Sequence, residues 1–230
     1  MVYAATSITK MANNNSALTK ANKAKNDEFY TRLADIENEL QHYKEHFSGK
    51  TVLCNCDDPR VSNFFHYFSY KFEDLGLKRL ITTCYKNQER DFFSKNECDQ
   101  AVYLEYEGDK NGNHIPDAEE IGVKPLKGDG DFRSAECIEL LKQADVVVTN
   151  PPFSLFKEFV KVLMDNNKDF IILGNMNAIT YKEVFPYIKE NRIGLGFTNG
   201  TKSFIRPNGE EKEVQICWYT TLPTDKHNEE

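Results

Sequence analysis

The 230-residue sequence has no apolar run long enough for a signal peptide or a membrane span, and its six cysteines lack paired spacing. It also has no excess of positive charge, because 36 acidic residues outnumber 29 basic ones and give a net charge of −7. That balance gives no support to a nucleic-acid partner, since such partners usually bind a basic surface. We therefore expect a cytoplasmic protein in a reducing compartment, without membrane contact.

Residues 1–25 are predicted to form a flexible N-terminal arm. They are rich in Ala, Asn, Thr, Ser and Lys and show little apolar periodicity. The lysines of this arm are a candidate for a local basic patch on an acidic protein: Lys10, Lys20, Lys23 and Lys25. The whole chain is 40% hydrophobic and 12% aromatic, which suits one soluble α/β domain with a real core.

Strand and helix patterns alternate along the rest of the chain. The predicted strands are residues 51–55, 79–85, 100–106, 145–149, 170–173 and 214–219. The predicted helices are residues 35–47, 61–75, 135–143, 156–164 and 182–189. This alternation predicts a doubly wound α/β sheet, in which ligands lie at the carboxyl ends of the strands.

The segment Asn150-Pro151-Pro152-Phe153 directly follows a β-branched run typical of a strand buried on both faces. An aromatic amino group is a poor nucleophile because its lone pair is delocalised, and two hydrogen-bond acceptors can assist it as it pyramidalises. The Asn150 side chain and the Pro151 carbonyl would be those acceptors, in a turn fixed by the prolines. Phe153 would offer a face on which a base could stack. The alternative is an ordinary turn that ends a strand.

Four motifs, in this order, resemble those of the EcoRI-type adenine-specific DNA methyltransferases over about residues 22–221. They are Asn26-Asp27-Glu28-Phe29-Tyr30-Thr31, Cys54-Asn55-Cys56-Asp57-Asp58-Pro59, Gly128-Asp129-Gly130-Asp131-Phe132-Arg133-Ser134 and Thr149-Asn150-Pro151-Pro152-Phe153-Ser154. The resemblance implies a Rossmann-like class I methyltransferase fold, with a mostly parallel doubly wound sheet and an antiparallel late strand. It also implies a catalytic domain at residues 26–221 and a polar tail at 222–230.

The same resemblance implies the chemistry and the site residues. S-adenosyl-L-methionine would donate the methyl group directly to a flipped adenine in double-stranded DNA. The catalytic residues would be Asn150, Pro151, Pro152 and Phe153. The cofactor-binding residues would be Asn26, Phe29, Tyr30, Thr31, Asp57, Asp58, Asp131 and Phe132. Among these, Asn26 and Thr31 would bind the methionine carboxylate or amino group, and Asp131 with Phe132 would hold the cofactor's adenine.

Ordinary helix-capping turns are the alternative for both Asp57-Asp58-Pro59 and Asp131. The glycine-rich turn usual in wider relatives is absent at Asp57-Asp58, and the second strand offers no acid for the ribose hydroxyls, so that role stays unassigned. The family normally continues beyond the last predicted strand, whereas this chain stops at Glu230. We therefore expect a fragment, a minimal catalytic core, or an enzyme that needs a missing recognition domain or partner.

Three other functions compete with this one. The same tetrapeptide chemistry serves RNA bases and protein amides, because both present a planar amino group. A truncated homologue could instead bind DNA without modifying it. The stretch Asp109–Glu120 has the oxygen spacing of a calcium loop, but its turn glycine is displaced and Pro116 interrupts it, so a polar surface turn is the alternative.

Two further patterns favour structure over chemistry. His42 and His46 lie four residues apart on one predicted helix without a third ligand, and we interpret them as solvated. Trp218 lies in an apolar late strand, which favours the core over base stacking.

Overall fold

The computed structural model describes residues 31–55, 62–84, 101–113, 116, 120–205 and 211–223. Within them, eight strands form one sheet: β1 Thr51–Asn55, β2 Arg79–Cys84, β3 Val102–Tyr106, β4 Gly122–Pro125, β5 Val146–Thr149, β6 Asp169–Asn175, β7 Gly194–Ile205 and β8 Glu211–Thr220. Their spatial order is β4-β3-β2-β1-β5-β6-β8-β7. The predicted arm at residues 1–25 lies outside the described residues.

Helices cover both faces of this sheet. They are α1 Leu33–Leu40, α2 Asn63–Tyr70, α3 Ala135–Gln143, α4 Phe156–Asp165 and α5 Phe185–Lys189, with 3₁₀ turns at Gln41–His46, Phe153–Leu155 and Met176–Thr180. One core cluster joins α1 and α2 to one face of the sheet, and a second joins α3 and α4 to the other. Trp218 is fully buried in the first cluster, as its apolar strand predicted.

The four central strands β2, β1, β5 and β6 are parallel. Every residue of β1 and β5 is buried, as expected of strands that are covered on both faces. β8 runs antiparallel to β6, so the predicted antiparallel late strand is confirmed. The parallel centre places the carboxyl ends of β1 and β5 beside each other.

Local capping explains two of the helix starts. The Phe65 backbone N–H donates to the Ser62 hydroxyl at 3.4 Å before α2, and the Cys137 N–H donates to Ser134 at 3.2 Å before α3. The helix predicted at residues 182–189 begins only at Phe185. Its proline therefore lies in the first turn, where proline fits, and not in the helix interior, from which proline is excluded.

Three features of the sheet differ from the sequence prediction. β3 runs antiparallel to β2. An antiparallel pair needs no crossover helix, which agrees with the absence of a predicted helix between these two strands. The strand β4 was not predicted because its four residues are all exposed and show no alternation. The strand β7 was not predicted because its glycines and polar residues are typical of a loop; pairing with β8 holds it extended.

A buried carboxylate ties α1 to the far end of the sheet. The Glu39 oxygens accept hydrogen bonds from the backbone N–H groups of Phe197 at 2.9 Å and Thr198 at 2.7 Å. They also accept from the hydroxyls of Thr198 and Tyr43, both at 2.8 Å. These bonds hold β7 where its register shifts, between Leu195 and Asn199. Burial, and secondarily the Glu39 charge, raises the pKa of Tyr43 above its ordinary value.

Candidate active site

The candidate site lies at the carboxyl ends of β1 and β5. β1 ends at Asn55 and β5 at Thr149, and the parallel register places these residues side by side. The Thr149 hydroxyl donates a hydrogen bond to the Asn55 carbonyl, which ties the two strand ends together. The next strand in the sequence, β2, pairs with one edge of β1, whereas β5 pairs with the opposite edge of β1. Strand order therefore reverses between β1 and β5, and open α/β sheets bind ligands in the crevice at such a point.

The tetrapeptide Asn150-Pro151-Pro152-Phe153 continues from β5 into this crevice. Asn150 and Pro151 are buried, whereas Pro152 and Phe153 are partly exposed. The Pro152 carbonyl accepts from the Leu155 N–H at 2.9 Å, in the 3₁₀ turn that leads into α4. Within the described part of the chain, the Pro151 carbonyl has no such backbone partner. The turn is thus fixed at its second proline, while the first proline's carbonyl is available as an acceptor.

Thr31 is the one described residue of the first predicted motif. Its carbonyl accepts a hydrogen bond from the Asn63 side chain at 2.7 Å, which fixes Thr31 beside the start of α2. Its hydroxyl oxygen is buried and has no hydrogen-bond partner among the described residues. Thr31 therefore lies next to the start of α2, the helix that follows β1 in the sequence. The other residues predicted in this motif, Asn26, Phe29 and Tyr30, lie outside the described residues.

Asp131 and Phe132 lie before α3, on the other face of the sheet. The Asp131 carboxylate accepts from the Arg133 side chain at 2.8 and 2.5 Å and from the Arg133 backbone N–H at 2.8 Å. The Arg133 side-chain hydrogen bonds lower the pKa of Asp131, although partial burial opposes them. The Phe132 ring packs edge-on against Phe159 of α4, with centroids 5.0 Å apart. Ser134, rather than Asp131, caps α3.

Two other predicted features are only partly described. Asp57 and Asp58 lie outside the described residues, and so does Cys56. In the candidate calcium loop, a Glu120 oxygen accepts from the backbone N–H groups of Lys110 at 2.6 Å and Asn111 at 3.2 Å. The described residues contain no group of three His, Cys, Asp or Glu side chains arranged to hold a metal ion. Residues 114, 115 and 117–119 of that loop lie outside the described part.

The sequence interpretation missed Asn55 and Thr149 as parts of this site. Both stand in the quoted motifs, but neither was given a role, because their significance depends on the pairing of β1 with β5. Sequence separation between them is 94 residues, which no local pattern reports. His42 was interpreted as solvated, and it is exposed, yet its ring stacks on Phe197 at 4.0 Å.

Comparison with known proteins agrees with this geometry. A family model described as adenine-specific methyltransferase EcoRI matches residues 17–221. The type II methyltransferase M.EcoRI from Escherichia coli is 53% identical over 199 residues, which cover 86% of this chain and 60% of that protein.

The chain belongs to this methyltransferase family.

Two further relatives of this chain are mycoplasma proteins. The type II methyltransferase M.MgeORF184P from Mycoplasma genitalium is 38% identical, with 91% of this chain and 66% of that protein covered. M.MpnI from Mycoplasma pneumoniae is 37% identical, with 88% and 63% covered. The chain thus spans under two thirds of the length of these relatives.

Membership of the EcoRI family confirms the resemblance drawn from the four motifs, and the Rossmann-like class I fold is confirmed with it. A solved structure of a candidate RNA methyltransferase from Pyrococcus horikoshii has a TM-score of 0.42 and 16% identity, and covers 85% of this chain and 84% of its own. So distant a likeness has no bearing on function. In the described residues, no helix combines the length and apolar character that a membrane span requires.

Proposed function

We propose that this chain transfers a methyl group from S-adenosyl-L-methionine to the exocyclic amino group of an adenine in double-stranded DNA. The observation that carries the proposal is the position of Asn150-Pro151-Pro152-Phe153, at the carboxyl end of the buried central strand β5 in a member of the EcoRI methyltransferase family. The restriction-modification type of the named relatives supports DNA as the substrate.

The tetrapeptide supplies groups that suit a flipped adenine. The Asn150 side-chain oxygen and the Pro151 carbonyl accept hydrogen bonds from the two amino protons as the nitrogen becomes pyramidal. That change returns the lone pair to the nitrogen, which then becomes the nucleophile. Phe153 is partly exposed beside these acceptors, so its ring can stack on a base that has left the duplex. As the bond from nitrogen to the methyl group forms, the methyl–sulfur bond would break to leave S-adenosyl-L-homocysteine, and the nitrogen would then release one of its two protons to solvent.

The described residues also fit a bound S-adenosyl-L-methionine. When bound, this cofactor supplies a methyl group already activated on a sulfonium. The buried Thr31 hydroxyl, which has no partner among the described residues, suits the polar methionine end, since such groups in native proteins are usually satisfied. The Asp131 carboxylate has about four acceptor sites, of which Arg133 uses three, so one can still accept from an adenine amino group. We assign Phe132 to packing on the cofactor's adenine ring.

Residues outside the described part complete this assignment. We propose Asn26, Phe29, Tyr30, Asp57 and Asp58 as further cofactor-binding residues, on the family motifs they belong to. Residues 26–221 are proposed as the catalytic domain. The lysines of the arm remain the candidate basic patch for duplex DNA. The chain has a net charge of −7, so a local patch of positive charge is needed to bind the DNA phosphates.

The test is transfer of labelled methyl from S-adenosyl-L-methionine to duplex DNA, with the product identified as a nucleoside. We expect N6-methyladenine with the wild-type chain, and a loss of about 100-fold or more in Asn150→Ala, the scale seen when one transition-state hydrogen-bond partner is removed. Phe153→Ala is expected to weaken DNA binding as well as turnover. Asn38→Ala, an exposed asparagine on α1, is the matched control and should retain full activity.

Two results would overturn the proposal. Methylation of RNA or of a protein amide, with none of DNA, would change the substrate class. Cofactor binding with no transfer to any DNA would mean that this chain does not catalyse the reaction by itself. Cofactor binding is therefore measured by calorimetry on the same samples.

A further inference from the structure

The hairpin of β7 and β8 continues beyond the rest of the sheet. The pairing of β8 with β6 ends at Ile216 and Asn175. Past that point β7 and β8 stay paired over five further residue pairs, which join residues 201–205 to residues 211–215. These ten residues form a two-stranded ribbon that has no third strand beside it among the described residues. At about 3.3 Å per residue, the ribbon extends roughly 16 Å beyond the sheet.

The ribbon projects from the edge of the sheet that holds the candidate active site. Asn175 is the last residue of β6, and β6 runs parallel to β5. The ribbon therefore starts at the carboxyl edge of the parallel strands, where Asn150 follows β5. Only β6 separates β5 from β8, and neighbouring strands are about 4.8 Å apart. The two strands of the ribbon thus start roughly 10 to 15 Å from the end of β5.

Oppositely charged residues of the ribbon belong to opposite faces. In paired strands, residues at alternate positions share a face, and so do residues directly opposite each other. Lys202 pairs with Val214, and Lys212 lies two positions before Val214, so both lysines belong to the face of Val214. Glu211 and Glu213 stand at the alternate positions of β8 and belong to the other face. The ribbon therefore has a basic face and an acidic face, although these four charges sum to zero.

The basic face lies on the side of the sheet that also carries Phe153. Val214 and Phe153 are both packed against the core cluster formed with α1 and α2. The acidic face continues along β8 to Cys217, which belongs to the cluster formed with α3 and α4. A polymer that presents one of its bases to Phe153 therefore passes the basic face of the ribbon and not the acidic one. Duplex DNA, with one negative charge per about 1.7 Å of helix axis, complements such a face.

We propose that the basic face of the ribbon, with Lys202 and Lys212, binds phosphates of duplex DNA beside the flipped adenine. This inference rests on the proposed function. Phosphates of one strand follow each other at about 3.4 Å along the axis, so those roughly three or four nucleotides from the adenine lie opposite the ribbon. Such contacts position the duplex without reading its sequence. The hydrogen bonds from Phe197 and Thr198 to Glu39 hold β7 before the ribbon starts, which fixes the ribbon relative to the sheet.

The experiment measures fluorescence anisotropy of a labelled DNA duplex at several salt concentrations. The double variant Lys202→Gln/Lys212→Gln removes both charges of the basic face and keeps polar side chains. We expect its affinity for the duplex to fall about 10- to 100-fold at roughly 0.1 M salt. The slope of log affinity against log salt should become shallower by about two, because two fewer counterions are released. Its melting temperature and its affinity for S-adenosylhomocysteine should equal those of wild type, which separates a lost DNA contact from a damaged fold.

The matched control is Glu211→Gln/Glu213→Gln, which removes two charges from the acidic face of the same ribbon. At about 0.15 M salt, charges more than roughly 8 Å from the DNA are largely screened. This variant should therefore bind the duplex with the affinity and the salt slope of wild type. A gain in affinity as large as the loss in the lysine variant would mean that only net charge matters, and it would overturn the inference.

The remaining outcomes separate this inference from the proposed function. Equal affinity and equal salt slope for wild type and the lysine variant would overturn the inference alone, and methyl transfer would still decide the function. Dependence on the two lysines for an RNA duplex, with none for DNA, would overturn it as well. A wild-type chain that binds no DNA duplex would contradict both the proposed function and this inference.

Discussion

Two regions of this molecule bury polar side chains, and they differ in how many hydrogen bonds the protein donates to those side chains. At Glu39 the carboxylate is fully buried, and four hydrogen-bond donors of the protein satisfy it. By contrast, the side-chain oxygens of Thr31, beside the start of α2, and of Asn55, at the carboxyl end of β1, are buried and have no hydrogen-bond donor among the described residues. Burial by itself therefore does not mark a functional site here. What distinguishes the two regions is the number of hydrogen-bond donors: four for the Glu39 carboxylate, and none among the described residues for the Thr31 and Asn55 oxygens.

The strongest way to break this comparison is to remove the satisfied carboxylate. Glu39→Ala leaves the Phe197 and Thr198 backbone N–H groups without their acceptor, so we expect a loss of about 3 kcal/mol or more of stability. For a chain of this size, that lowers the melting temperature by about 6 °C or more. Glu37→Ala, exposed on the same helix, is the control and should change stability by less than about 0.5 kcal/mol. Equal melting temperatures for the two variants would show that the Glu39 contacts contribute little.

A smaller effect is expected from crowding the same carboxylate without removing it. A Cβ at Gly196 would collide with Glu39 and lie 2.7 Å from the Trp218 Cβ. Gly196→Ala should therefore cost about 1–3 kcal/mol, as overpacked cores do. Gly128→Ala adds the same methyl where no atom lies within 4 Å, and denaturant unfolding should find it neutral. A Gly196→Ala protein as stable as wild type would mean that β7 can move away from α1.

The smallest expected effect concerns Asp131, a proposed cofactor-binding residue that already has a protein partner. Its pKa is lowered chiefly by Arg133, so the pair stabilises the fold above the ordinary carboxyl pKa of about 4 and is lost as the pH falls through the lowered value. Both side chains are partly exposed, which keeps the effect modest. Melting curves of wild type and Arg133→Gln should differ at pH 6 and converge in strong acid. Curves that stay parallel would assign the difference to packing on Phe132.

The parts of the fold that could be predicted from sequence are those set by local chemistry. Helix α3 occupies its predicted residues because the Ser134 cap fixes its start, and β5 was predicted from four consecutive residues that suit a buried strand. β7 could not be predicted, since its glycines suit a loop and only its pairing with β8 makes it a strand. β7 was missed, whereas α3 and β5 were predicted, because non-local pairing leaves no periodic pattern in the sequence.

The same division holds for the site. The tetrapeptide at Asn150 could be singled out because its residues have the hydrogen-bonding groups that the proposed chemistry needs and because they follow a predicted strand directly. The isolation of the Asn55 oxygen could not, because the partners of an amide depend on residues that folding brings to it from elsewhere in the chain. Glu39 could have been noticed as an acid on the apolar side of α1, three residues after Ile36 and one before Leu40, although its partners lie 158 and 159 residues further on.

That separation has a consequence for how the chain is made. During synthesis, α1 leaves the ribosome long before the segment that satisfies its glutamate, and closing so long a loop carries an entropic cost that local contacts do not. Until Phe197 and Thr198 have emerged, the carboxylate is better off hydrated, which favours leaving α1 undocked. We therefore expect α1 to close over the sheet late, once the final hairpin exists, and a chain interrupted before that hairpin to keep this side of its sheet open.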